Sequence, residues 1–185
     1  AMPSNSQPRY AIATVTAVGK DLALTLREKL GKEIPIYTTP RLADDRVIAI
    51  EGRVIDALGQ LFQEVDVLIC IMAIGAVVRA IAPVLKDKAS DPAVVVMDEK
   101  AMNVISLLSG HLGGANQVTL DIAELLGSNP VITTATDVQN VTALDNLAQS
   151  VNGWRPELRE FIKPFNSYLG SGRTVYFYQE KDWVT

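Results

Sequence analysis

Three glycines, two small polar residues and the chain's one histidine fall within eight positions, Ser109-Gly110-His111-Leu112-Gly113-Gly114-Ala115-Asn116. Glycine lets backbone approach a ligand closely and adopt positive φ, and free N–H groups at a following helix start attract anions. The N–H groups of Gly113, Gly114 and Ala115 are therefore expected to face an anionic group of a ligand. Ser109, Gly110 and Asn116 border the same contact. His111, with an unperturbed pKa of about 6.5, suits a general base or a proton donor near neutrality. The bland alternative is an imidazole bonded to nearby backbone that holds the loop in shape.

Other groups of this kind lie apart in sequence. Thr133, Thr134 and Thr136 lead to Asp137, the second candidate acid or base; capping and turn formation compete with ligand contact for all four. Arg79 follows Gly75 by four residues, one helical turn, and with Lys86 and Lys88 forms a local set of cations suited to an anionic ligand. Asp98 and Glu99 form a carboxylate pair that reads as a solvated turn. One histidine and one cysteine, Cys70 inside an apolar run, do not make a transition-metal site, so no protein metal ligands are assigned.

Hydrophobic periodicity supplies the elements that must hold these groups. Residues 10–15 read as a strand, followed by a helix with Leu22, Leu26 and Leu30 on one face and Gly31 as its stop. Strands at 34–37 and 47–50 and a helix carrying Val54, Leu58, Leu61 and Phe62 continue a β-α-β rhythm. Residues 65–72 are almost continuously apolar, as in a central strand covered on both faces, and open through Ala73-Ile74-Gly75 into a short helix that Pro83 interrupts. Runs 93–97 and 103–108 flank residues 98–101 as a hairpin. The second hairpin strand enters the glycine loop, then a helix with Val118, Ile122, Leu125 and Leu126 inward and Gly127 at its end, then a strand at 130–133. The fold class is thus α/β, a three-layer α/β/α Rossmann-like domain with a mostly parallel, mixed sheet. Residues 1–8 read as a disordered tail or cloning scar, 9–140 as the domain, and 141–185 as the start of a truncated second one.

With 48% hydrophobic and 21% charged residues over 185 positions, the chain can bury a sizeable core. A net charge of −4 argues against a nucleic-acid-coating surface. The apolar runs are too short for a bilayer span, and a single cysteine excludes a disulfide framework, so a cytoplasmic protein without nucleic-acid or membrane partners is expected.

The order of residues from Ile74-Gly75-Ala76-Val77-Val78-Arg79 through Asp91-Pro92, Asp98-Glu99 and the glycine loop to Val131-Ile132-Thr133-Thr134-Ala135-Thr136-Asp137 closely resembles the N-terminal region of the CbiG family of cobalamin-biosynthesis proteins. Residues from 143 onward are similar to the start of that family's middle domain. The resemblance implies a cobalt-precorrin-5A hydrolase of the anaerobic route, which opens a δ-lactone on the macrocycle and releases acetaldehyde. It implies a cobalt-corrinoid substrate, no cofactor beyond the cobalt that the substrate carries, and other corrin-pathway enzymes or a fused methyltransferase as partners. Two other readings stay open: a non-catalytic corrinoid-binding or docking domain, and a Rossmann-like phosphate or nucleotide module, although neither usual glycine fingerprint is present. In the hydrolase reading, the glycine loop and the turn after Met72 should lie at one sheet edge and form a composite site, because both end strands and begin helices.

Overall fold

The structure, a computed structural model, describes residues 7–110 and 113–135, with positions 164, 165, 167, 168, 171, 173 and 174. The chain divides into two compact units, Ala1–Val131 and Ile132–Thr185, a boundary inside the stretch that the sequence reading gave to the first domain. In the second unit the Arg173 guanidinium lies 5.1 Å from the ring centre of Tyr168.

The first unit runs β1 (Tyr10–Thr14), α1 (Ala17–Leu30), β2 (Ile36–Thr38), β3 (Ile48–Ala49), α2 (Val54–Glu64), β4 (Val67–Ile71), α3 (Ile74–Ile81), β5 (Ala93–Met97), β6 (Asn103–Leu108), α4 (Ala115–Leu126) and β7 (Asn129–Val131). Short 3₁₀ turns follow β2 and α3. The sheet order is β3-β2-β1-β4-β5-β6-β7. Neighbours are parallel except β5 and β6, which are antiparallel, as the hairpin reading required.

Two apolar clusters make three layers. Ile12, Ile69, Val95 and Met97 meet Leu26 of α1 and Ile122 of α4 on one face, while Ala13, Leu68, Val94 and Val96 meet Phe62 of α2 and Val77 of α3 on the other. β4 and β5 are buried along their whole length, which explains their uninterrupted apolar sequence. Leu125 differs from expectation and is 39% exposed. The buried stripe of α4 runs through Ala115, Thr119, Ile122 and Ala123, and a residue three beyond Ile122 and two beyond Ala123 falls off its centre.

The turn between β5 and β6 is held by one carboxylate. Asp98 accepts from the N–H groups of Lys100 at 3.0 Å, Met102 at 3.2 Å and Asn103 at 2.7 Å, while Ala101 takes φ 55. Burial pushes this carboxyl up, but the N–H groups of Asn103, Met102 and Lys100 together outweigh it and hold it below the usual carboxylate range. A carboxyl depressed in the folded state stabilises fully above its unfolded value of about 4 and loses that contribution as pH falls through the lower folded value. Asp98→Ala should therefore cost about 1–3 kcal/mol in urea unfolding at pH 7. The gap from wild type should narrow as the pH is taken below about 4. An equal gap at both pH values would remove Asp98 from the hairpin's support.

Candidate functional site

The chain crosses the sheet between β3 and β4, passing from one side of β1 to the other, so adjacent loops after β1 and β4 lead to helices on opposite faces. A crevice opens at such a switch point in open α/β sheets. Here it has a volume of about 420 Å³ and is walled by Val15, Met72, Ile74, Val96, Met97 and Ile105. Thr16, Asp98 and Glu99 supply its polar rim.

Thr16 is the N-cap of α1. Its Oγ1 accepts the Gly19 N–H at 3.0 Å and donates to Glu99 Oε2 at 2.6 Å, tying the β1–α1 loop to the β5–β6 turn. Gly19 is required by crowding: a Cβ there would collide with Thr14 Oγ1 and press on Thr16 Oγ1. On the other side of the crevice α3 begins at Ala73 without a side-chain cap, and the N–H groups of Ile74 and Gly75 take no partner among the described residues. Arg79 reaches back one turn, its Nη1 donating to Gly75 O at 3.1 Å.

The glycine loop is built differently. Ser109 O and Gly110 O accept the N–H groups of Ala115 and Asn116, each at 3.1 Å, so the loop closes much of the start of α4 on itself. The N–H groups of Gly113 and Gly114 take no partner among the described residues. Ser106 Oγ donates to Asn116 Oδ1 at 2.7 Å, and a Cβ on Gly110 would stand 2.7 Å from the same Oδ1. A Cβ on Gly113 would meet the side chain and carbonyl of Ser109. Ser109 at φ 58 and Gly114 at φ 83 make the left-handed bends. These residues therefore pack a tight joint, and Ala115 N–H is not available to an oxyanion.

The loop before β5 shares this end of the sheet. Ser109 Oγ donates to Asp91 O at 2.9 Å, and both Asp91 carboxylate oxygens accept Lys86 N–H at 3.1 Å. Lys86 and Lys88 are exposed beside it.

The expectation of one composite site is overturned. β6 runs antiparallel to β5, pairing Leu108 with Val94 and Val104 with Met97, so the glycine loop leaves β6 beside the start of β5. Gly75 follows β4, whose end pairs with the end of β5 at Met97. The two glycine-bearing turns thus stand at opposite ends of a strand about 13 Å long. Gly75 and Arg79 belong to the crevice end. Lys86, Lys88, Ser109, Gly110, Gly113, Gly114 and Asn116 belong to the other. Thr133 and Thr134 lie in the second unit, and His111, Thr136 and Asp137 lie outside the described residues.

Sequence reasoning missed Thr16 and its bond to Glu99, while Glu99 is exposed in the turn as read. The available signal was Thr16 placed as an N-cap after a strand; its partner lies 83 positions away and only the sheet order reveals it. Among the described residues no group of three or more His, Cys, Asp or Glu side chains is placed to hold a metal. Burial pushes the Cys70 thiol up to about 12, which leaves it inert. Also among these residues, no helix is long and apolar enough to cross a membrane.

Comparison with known proteins adds to this geometry. Residues 56–137 match the family described as cobalamin synthesis G N-terminal. A cobalt-precorrin-5A hydrolase of Salmonella typhimurium is 44% identical over 154 residues, 82% of this chain and 44% of that protein. One from Priestia megaterium is 37% identical over 189 residues, 98% of this chain and 50% of that protein. The chain spans about half the length of these curated relatives. A solved cobalamin biosynthesis protein G homologue from Sulfolobus solfataricus shares the fold with TM-score 0.55 at 22% identity, covering 96% of this chain and 52% of that one. Through the stretch 56–137, this chain belongs to the cobalamin synthesis G family, CbiG, and carries that family's N-terminal domain.

Proposed function

We propose that this chain forms part of a cobalt-precorrin-5A hydrolase of anaerobic cobalamin biosynthesis, acting on a cobalt-corrinoid in the cytoplasm by opening its δ-lactone, with acetaldehyde released. The observation that carries the reading is 44% identity over 154 residues to a relative of that name. The chain's physical chemistry is compatible with it. Such a substrate joins an apolar ring to many carboxylate arms, and the first unit offers an apolar crevice at one end of the sheet and exposed Lys86 and Lys88 at the other. No cofactor besides the substrate's own cobalt is invoked. The nucleotide-module reading, which puts a phosphate on the glycine loop, is disfavoured because Ser109 O and Gly110 O already take the N–H groups of Ala115 and Asn116 at the start of α4.

Opening a lactone is acyl transfer to water and needs a base, oxyanion donors and a proton for the leaving oxygen. His111 and Asp137 are the proton-transfer candidates that the sequence offers. One reacting bond can lie at only one end of the sheet, so a site in the crevice and a site at the glycine loop exclude one another.

Incubating the chain with cobalt-precorrin-5A should release acetaldehyde in step with loss of the lactone, whereas binding without acetaldehyde would support the docking-domain reading. Arg79→Ala should weaken corrinoid binding more at low salt than at high salt, because a contact between exposed charges is screened. Affinity unchanged across a salt series would confine Arg79 to its bond with Gly75 O.

A further inference from the structure

The crevice holds a carboxylate fixed from one side and open on the other. The Thr16 hydroxyl already accepts the Gly19 N–H, so its own proton points to Glu99 Oε2, and the 2.6 Å contact sets the orientation of the carboxylate at the crevice rim. Oε1 is left to accept a hydrogen bond from a water. Met72, Ile74 and Ile105 line the same crevice, and Thr16 and Glu99 stand at its solvent-exposed rim, where water can reach the carboxylate. Asp98 lies beside it, but that carboxylate is occupied by three backbone N–H groups.

We propose that Glu99 is the catalytic base of lactone opening, with Thr16 as its positioning residue, and that the lactone edge of the corrinoid enters this crevice. The inference rests on the hydrolase reading and deepens it. Charge selects the edge. Free carboxylate arms are repelled by Asp98 and Glu99, whereas at the lactone the acid is esterified and uncharged, so the arms are directed away from the crevice. Water gives a proton to Glu99 as its oxygen bonds to the lactone carbonyl carbon. The resulting oxyanion lies within reach of the uncommitted N–H groups of Ile74 and Gly75 at the start of α3. Collapse breaks the acyl C–O bond, and the leaving alkoxide takes the proton back from Glu99. The products are a hydroxyl and a carboxylic acid, with lactone and water fully accounted for. His111 is then released from the base role and left to substrate binding.

Glu99→Gln should lower kcat for acetaldehyde release about 10²-fold or more while KM moves by less than about threefold. Thr16→Asp keeps an acceptor for Gly19 N–H but cannot donate to Glu99, and should lower kcat at least about tenfold in a chain that unfolds near the wild-type temperature; Thr16→Ser should restore it. Carbodiimide coupling of glycine ethyl ester to Glu99, read by peptide mass spectrometry, should be blocked by saturating cobalt-precorrin-5A whether or not the chain turns it over. Wild-type turnover in Glu99→Gln, or coupling unaffected by bound corrinoid, would overturn the assignment while leaving the hydrolase reading intact. A wild-type chain that neither changes the corrinoid spectrum nor releases acetaldehyde would overturn both.

Discussion

Three backbone N–H groups converge on the carboxylate of Asp98, and the turn they close sends β6 back along β5 instead of across the sheet. Had the chain crossed over to a parallel strand, the glycine loop would have emerged beside Gly75 and the start of α3. The antiparallel return carries it to the opposite end, next to Asp91 and Lys86. The same turn places Glu99 against Thr16. Both the separation of the two glycine-bearing loops and the geometry of the crevice therefore follow from how this one hairpin closes.

The two ends differ in what surrounds their helix starts. At α4 the carbonyls of Ser109 and Gly110 take the N–H groups of Ala115 and Asn116, and the glycines are explained by the absence of room for a Cβ. At α3 the first N–H groups have no cap, and the adjoining wall is apolar. Small-residue density measures how tightly backbone must pass; it marks a binding site only where donors stay uncommitted. Uncommitted donors stand at both ends, on Ile74 and Gly75 at one and on Gly113 and Gly114 at the other, so what separates the ends is the apolar wall of the crevice and the exposed Lys86 and Lys88 opposite it.

Much of the fold was legible because local rules decide it. The continuous apolar runs at β4 and β5, the helix stops at Gly31 and Gly127, and the hairpin around Asp98 were all read from the order of residues. Leu125 was misplaced because a stripe centred on Ile122 and Ala123 cannot be told from one shifted by a residue without knowing where the sheet lies. The composite site failed for a related reason. Each loop's end of the sheet depends on the direction of the strand before it, and the antiparallel return of β6 reverses that direction for the glycine loop. The bond between Thr16 and Glu99 was not legible at all, since it depends on β1 and β5 flanking β4.

The substrate carries its own marker for where the macrocycle sits. Crystals of the chain with bound cobalt-precorrin-5A, measured on both sides of the cobalt absorption edge, would locate the metal by anomalous difference. A single cobalt peak is expected at the end of the sheet bearing Thr16, Ile74 and Glu99, with the lactone edge directed into the crevice. A peak against Gly113, Lys86 and Lys88 at the opposite end, with the crevice free of corrinoid, would contradict it.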